Sequence, residues 1–253
     1  MSNTYKILGV IPARYASTRF PVKPLADIMG KSMVQRVYES AKASKSLSKV
    51  VIATDHDEIY DHVRGFGGDV CMTDVNHQSG TDRCYEALSY EKEAFDYVIN
   101  IQGDEPFIDP VQIDLLASSF AEGVEIATLV KQIDNNHALH NPNVVKVVFD
   151  KNDFALYFSR ETLPHQRGVL KENWLEKGFF YKHIGIYGFK SEVLEKLVRL
   201  PISFLERSEA LEQLRWLENG YKIKVNKTSI ESIGIDTPED LQEAIALFMG
   251  GEM

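Results

Sequence analysis

Cysteine is scarce in this chain, with only Cys71 and Cys84 among 253 residues. Two thiols allow at most one bridge, which a chain long enough to bury a sizeable core does not need. They are also too few and too far apart for a thiolate metal or redox motif, so both read as buried free thiols. Long hydrophobic runs are missing as well. No apolar stretch reaches the roughly 18 residues a membrane span requires. The first apolar segment, Ile7 to Pro12, is too brief for a signal peptide and runs straight into Arg14. A cytoplasmic chain with no membrane partner is expected. Positive charge is in deficit: 28 Lys and Arg stand against 37 Asp and Glu, a net charge of -9. With no basic run, the balance argues against a nucleic-acid partner. An acidic protein that handles a small anion must gather its few cations locally. Composition is otherwise ordinary, 44% hydrophobic and 26% charged, which argues against disorder and low complexity.

Apolar, β-branched runs recur along the chain and alternate with helical patterns. Strands are expected over Lys6 to Ile11, Lys49 to Thr54, Tyr97 to Gln102, Ile126 to Lys131, Val144 to Phe149, His183 to Phe189, Lys222 to Val225 and Ile230 to Ile235. Helix starts are marked by Asp55 with Glu58 and Ser79 with Asp82, both spaced as capping boxes. Asp109 before Pro110 and Thr237 before Pro238 place a cap ahead of a first-turn proline. The βαβα rhythm predicts an α/β protein of three layers, a mainly parallel mixed sheet between helices. Between about Asn135 and Ser203 the rhythm falters, and Thr162 to Gly178 reads as a polar loop. This stretch is expected to be a β-rich insertion that extends the sheet, lids a site or pairs subunits. No linker sets it apart, so a single domain over 1–253 is expected.

The segment Ile11-Pro-Ala-Arg-Tyr-Ala-Ser-Thr-Arg-Phe-Pro-Val-Lys-Pro-Leu25 follows a strand and precedes a helix, where doubly wound sheets place their ligands. Within ten positions it holds Arg14, Arg19 and Lys23, with Ser17 and Thr18 between them. Small residues Ala13, Ala16 and Ser17 admit a ligand to the backbone, while Pro12, Pro21 and Pro24 stiffen it. Three cations on one such loop suit a polyphosphate; a solvated basic loop is the alternative. A Gly-rich turn is absent, so side chains must carry the phosphate contacts.

The same segment resembles the signature of the cytidylyltransferases that activate 3-deoxy-manno-octulosonate (Kdo), I-P-A-R-x-x-S-T-R-[LF]-P-G-K-P-L. The resemblance extends to Ala53-Thr-Asp-His56, His77-Gln-Ser-Gly-Thr81, Asn100-Ile-Gln-Gly-Asp-Glu-Pro106, Asn141-Pro-Asn143, Ala155-Leu-Tyr-Phe-Ser-Arg160, His183-Ile-Gly-Ile-Tyr-Gly188, Leu211-Glu-Gln-Leu-Arg215 and Gly234-Ile-Asp-Thr-Pro-Glu-Asp-Leu241. Val22 departs from it, standing where the family usually has Gly. The resemblance implies the Rossmann-like nucleotide-diphospho-sugar transferase fold.

It also assigns roles. Asp104, one glycine beyond a strand, and Asp236, just before the cap Thr237, are expected to hold Mg²⁺, which takes one or two carboxylates plus substrate phosphates. The alternative is that Asp104 starts a turn and Asp236 caps a helix. Pro12, Ala13, Arg14, Ser17, Arg19, Lys23, Ser79, Gly80 and Gln102 are expected to bind the nucleotide, Ser79 serving equally as an N-cap. Arg160 is expected to meet the sugar carboxylate through a bidentate pair. His183 and Tyr187, four apart on one strand, share a face toward the sugar, or His183 is a hydrogen-bonded core histidine. Glu209 and Gln213, one turn apart on a helix from Phe204 to Asn219, bind hydroxyls or are simply solvated; Ala210, Leu211, Leu214 and Leu217 form its buried stripe.

The implied reaction is CTP plus Kdo giving CMP-Kdo and pyrophosphate, for lipopolysaccharide, in a homodimer formed partly through residues 144–190. Lys23, Arg14, Arg19 and Asp104 would serve catalysis. Activation of 8-amino-Kdo or sialic acid is the nearest rival, although Tyr15-Ala-Ser-Thr18 stands where sialic-acid enzymes typically show Gly-Gly-Ser-Lys. A non-catalytic nucleotide-sugar binding module is the alternative from another class.

Overall fold

The computed structural model describes residues 5–16, 19–231 and 233–250. In chain order the strands and α-helices are β1 (Ile7–Ala13), β2 (Asp27–Ile28), β3 (Lys31–Ser32), α1 (Met33–Ala43), β4 (Lys49–Thr54), α2 (Asp57–Gly65), β5 (Val70–Met72), α3 (Gly80–Ser89), β6 (Tyr97–Asn100), α4 (Pro110–Ala117) and β7 (Ile126–Gln132). There follow α5 (Asn136–His140), β8 (Lys146–Phe149), β9 (Ala155–Ser159), α6 (Trp174–Lys177), β10 (Tyr181–Lys190), α7 (Ser191–Leu197), α8 (Phe204–Glu209), α9 (Gln213–Glu218), β11 (Ile223–Thr228) and α10 (Pro238–Gly250). The chain forms two compact units, one of residues 1–114 with 231–253 and one of residues 115–230.

The first unit is built on parallel strands. β1 pairs with β4 on one side and β6 on the other, and β5 pairs with β4. In β1, Ile7, Leu8, Val10 and Ile11 are all fully buried. A strand with both faces covered needs such an unbroken apolar run, which is why its sequence does not alternate. The helices start where polar caps stand before an apolar stripe. Ser32 accepts from the Gln35 amide and opens α1, which buries Met33, Val34, Val37, Tyr38 and Ala41. Ser79 and Asp82 form the expected capping box at α3. Thr237 and Asp240 exchange side-chain and backbone bonds at α10. At α2 the cap is His56, whose ring accepts from the Glu58 amide. Asp55, expected there, is instead engaged by an arginine, described below.

In the second unit β7 pairs antiparallel with β10 and parallel with β11. The hairpin β8–β9 extends this sheet through β10. Within 135–203 the strands β8, β9 and β10 are matched by three short helices, rather than outnumbering helices as expected. Part of the polar stretch from Thr162 to Gly178 is ordered around Trp174, which is buried and donates its indole N–H to the Val169 carbonyl.

Two further expectations fail. Ile230 to Ile235 forms no strand among the described residues. Its backbone groups go elsewhere: the Ile235 amide donates to the Asp104 carbonyl at 2.9 Å, and the Ile235 carbonyl accepts from Lys23. The helix from Phe204 to Asn219 is two helices, broken at Ala210, whose backbone is left-handed (φ 51°, ψ 49°). Ala210 is therefore exposed rather than part of a buried stripe. The break is clamped by Arg215, which pairs with Glu206 at 2.9 Å and Glu212 at 3.1 Å.

Candidate active site

The C-terminal ends of β1 and β6, the α3 N-terminus and the segment before α10 enclose a cleft of about 420 Å³ in the first unit. Two glycines permit this closeness. A Cβ on Gly103 would meet the Pro12 carbonyl oxygen at 2.4 Å, and one on Gly80 would meet Asn100 at 3.3 Å and Pro12 at 3.5 Å. The chain after β6 therefore turns directly over the end of β1 and presents Asp104. Pro12, Ala13, Arg14, Arg19, Lys23, Gly80, Gln102, Asp104 and Asp236 all line this cleft. Ser79 does not line it and caps α3. Ser17 lies outside the described residues.

Lys23 stands between the two aspartates. Its Nζ lies 2.8 Å from Asp104 Oδ2 and 3.6 Å from Asp236 Oδ1, and donates to the Ile235 carbonyl at 2.8 Å. Arg19 Nη1 lies 3.0 Å from Asp236 Oδ2. Two cations of one loop thus meet two carboxylates from distant segments. Lys23 begins a short 3₁₀ turn, Lys23–Leu25, entered through Val22 in a left-handed conformation (φ 56°, ψ 27°). That conformation is the one a glycine adopts without cost, and here a β-branched residue takes it.

The cleft also contains a cation that the sequence reading missed. Arg83, on the first turn of α3, has no exposed surface and lines the wall. Its guanidinium donates to Asp55 Oδ2 at 2.9 Å and to the Thr73 hydroxyl. Asp55 Oδ1 in turn accepts from the Tyr15 amide at 3.0 Å, and the Tyr15 ring stacks on His56 with centroids 3.6 Å apart. The signal was available: an arginine three residues into a helix that begins Ser-Gly-Thr faces the same way as that helix's N-terminal turn. Gln78 is a further lining residue that the motif reading passed over. A larger hollow of about 660 Å³ opens beside the N-terminal ends of β4 and β5, but it contains none of the expected site residues.

The residues expected to meet a sugar acid lie in the second unit. Arg160, at the end of β9, spends three of its N–H groups on carbonyls, with Nε to Glu209 at 2.7 Å, Nη1 to Pro142 at 3.1 Å and Nη2 to Ala210 at 3.4 Å. A guanidinium has five, so two have no protein acceptor among the described residues. Glu209 commits both carboxylate oxygens, to the Ser159 hydroxyl at 2.7 Å and the Arg160 amide at 2.9 Å. The sequence placed Glu209 one helical turn from Gln213; in the structure it ends α8, while Gln213 opens α9 and is buried. Burial and the Glu209 carboxylate raise the Tyr157 phenol above its usual range.

His183 and Tyr187 stay together across a bulge in β10, with ring centroids 5.0 Å apart. His183 Nε2 is 3.0 Å from the Thr128 hydroxyl. Its ring packs edge-on against Phe158, 5.3 Å between centroids, the residue is half-buried, and desolvation pushes its pKa down to about 3, so it is a neutral imidazole near neutral pH. The Tyr187 hydroxyl is buried with no hydrogen-bond partner among the described residues, and burial raises its pKa far above the usual phenol range.

A cytidylyltransferase family model matches residues 8–225. The 3-deoxy-manno-octulosonate cytidylyltransferase of Parabacteroides distasonis is 54% identical over 246 residues, covering 95% of this chain and 97% of its own. A solved structure of CMP:2-keto-3-deoxy-manno-octonic acid synthetase complexed with CTP matches with TM-score 0.90 and 39% identity, over 98% of this chain and all of that one. The fold alone is shared with 4-diphosphocytidyl-2C-methyl-D-erythritol synthase from Anaerococcus prevotii, at TM-score 0.64 and 14% identity. With the nucleotidyltransferase-like Rossmann fold and the motifs matched along its length, the chain belongs to the cytidylyltransferase family, among the 3-deoxy-manno-octulosonate cytidylyltransferases.

Proposed function

We propose that the enzyme activates Kdo with CTP, giving CMP-Kdo and pyrophosphate for lipopolysaccharide synthesis. The observation that carries this reading is the convergence of Arg14, Arg19, Lys23, Asp104 and Asp236 on one cleft in a chain 54% identical to a curated 3-deoxy-manno-octulosonate cytidylyltransferase. The anomeric hydroxyl of the sugar acid attacks the α-phosphorus and pyrophosphate leaves in line. Arg14, Arg19 and Lys23 bind the phosphates and stabilise charge that grows on the leaving group. Gln102, Gly80 and the Pro12–Ala13 backbone bind the nucleoside part. Arg160, two of whose N–H groups have no acceptor among the described residues, meets the sugar carboxylate, and Tyr187 and Gln213 offer polar atoms to its hydroxyls. Glu209 holds Arg160 and Ser159 in place.

The donor set fits a divalent cation. Two carboxylates within reach of one ammonium already form a local cation site, and Mg²⁺ bound by two carboxylates completes its shell with phosphate oxygens and water. Asp104 and Asp236 would hold it. When bound, it neutralises phosphate charge and polarises the attacking hydroxyl.

We also propose that the enzyme works in the cytoplasm as a homodimer. No helix among the described residues is long and apolar enough to cross a membrane. Leu156, Leu170 and Phe179 are 62%, 66% and 73% exposed within the 144–190 stretch. Such exposed apolar side chains favour burial against a second copy.

Pyrophosphate release with CTP, Mg²⁺ and a panel of sugar acids tests the function. Turnover greatest with Kdo supports it. Preference for 8-amino-Kdo or sialic acid, or nucleotide binding without release, replaces it.

A further inference from the structure

Lys146 is a buried charge with no carboxylate partner among the described residues. It has no exposed surface, and among the described residues it forms no ion pair. An ammonium has three N–H groups, and all three are directed at main-chain carbonyls: Asn141 at 3.0 Å, Val144 at 2.7 Å, and Arg160. Burial pulls its pKa down, opposed by the fields of Glu161 and Glu209. A buried cation is costly to a fold unless its donors are fully met. Here they are met by backbone oxygens from two separate segments.

Those segments are the ones that hold Arg160. The turn at 141–144 supplies the Pro142 carbonyl that accepts from Arg160 Nη1, and the end of β9 supplies Arg160 itself. Lys146 sits on β8 directly opposite Ser159 in the β8–β9 register. It therefore ties the turn to the strand end from behind. Glu209 performs the complementary task from α8, through the Arg160 amide and the Ser159 hydroxyl.

We infer that Lys146 is a positioning residue for recognition of the sugar acid: its ammonium fixes the 141–144 turn against the end of β9 and thereby aims the Arg160 guanidinium at the substrate carboxylate. The inference rests on the function proposed above. It assigns to one buried amine the orientation of a group that phosphate binding does not involve.

The test is steady-state kinetics of Lys146→Met, a substitution similar in length that removes all three donors. The KM for Kdo is expected to rise about tenfold or more while the KM for CTP stays within about twofold, because misplacing a binding group by a fraction of an ångström penalises only the ligand it meets. Lys146→Gln, which keeps two donors, should fall between the two. Equal rises in both KM values, or a change in kcat alone, overturn the inference. If Lys146→Met does not fold, Lys146→Gln is read in the same way. If neither gives a cooperative thermal melt, Lys146 is only a stability element and the inference fails. Unaltered enzyme that releases no pyrophosphate from CTP and Kdo overturns the proposed function instead, so the two failures are distinguishable.

Discussion

Arg83 and Asp55 form a buried ion pair in the wall of the cleft that contains Lys23 and Asp104, with Nη2 to Oδ2 at 2.9 Å and 0% and 6% of their side chains exposed. The second Asp55 oxygen holds the Tyr15 amide next to Arg14. One carboxylate therefore fixes both a guanidinium in the cleft and the loop that carries Arg14, Arg19 and Lys23. Removing one partner of such a pair leaves a buried charge uncompensated, at a cost of about 3–5 kcal/mol. Asp55→Ala should lose stability on that scale in urea unfolding and should also raise the KM for CTP. A loss below about 1 kcal/mol, the range of exposed pairs, would mean that Asp55 is dispensable.

Lys23, between Asp104 and Asp236, gives a prediction with two arms. Lys23→Ala and Asp104→Asn should each lower kcat by on the order of 10²-fold or more, as removal of a group that stabilises the transition state does. The chains should still melt cooperatively. Removing divalent ions with a chelator should abolish turnover, and excess Mg²⁺ should restore it. A folded Lys23→Ala enzyme that works at near-parental kcat would remove the residue from the mechanism.

The meeting of Arg14, Arg19 and Lys23 with Asp104 and Asp236 in one cleft, and most strands, were legible in the sequence because each is a local pattern: an apolar run followed closely by cations or an acid. What could not be read depended on distant partners. Arg83 matters through Asp55, 28 residues away. The β-branched run from Ile230 to Ile235 looks like a strand, but its backbone bonds go to Lys23 and Asp104. The break at Ala210 carries neither Gly nor Pro. It is imposed by Arg160, Arg215 and the Glu209 contacts rather than by local propensity. β9 was missed because its exposed Leu156 sits where a polar side chain would mark the outward face.

Val22 at φ 56° predicts an unusual result for a glycine substitution. A β-branched residue in the left-handed region costs on the order of 1–3 kcal/mol. Glycine relieves this but adds about 0.4–1 kcal/mol of unfolded-chain entropy. Val22→Gly should therefore leave stability unchanged or raise it by up to about 2.5 kcal/mol. Denaturant titration of the two chains decides it. A clear loss of stability would show that contacts of the valine side chain outweigh its backbone strain.

His183 should make stability sensitive to acid. Its folded pKa is near 3 against 6.5 for an ordinary histidine, because burial disfavours the charged ring. Between these values the unfolded chain takes up a proton that the folded chain refuses. Stability from this group is therefore present above about pH 6.5 and is lost as pH falls toward 3, with a slope of about 1.4 kcal/mol per pH unit. Unfolding free energies measured across this range should have a slope shallower by up to one proton in His183→Asn. An identical slope in the two chains would show that the ring titrates as it does in water.

Tyr187 separates stability from substrate recognition. Its hydroxyl is buried without a partner among the described residues, yet the ring packs between His183, at 5.0 Å, and Trp216, at 5.0 Å between centroids. An unmet buried hydroxyl costs a fold about 1–3 kcal/mol. Tyr187→Phe keeps the ring contacts and discards that cost, so the melting temperature should hold or rise. If the same hydroxyl is reserved for the sugar acid, the KM for Kdo should rise about tenfold, the worth of one hydrogen bond at about 1.4 kcal/mol, with the KM for CTP unmoved. A variant that gains stability and keeps the parental KM for Kdo would show that the hydroxyl serves neither the fold nor the substrate. A variant that loses stability would show that it has a partner in solution.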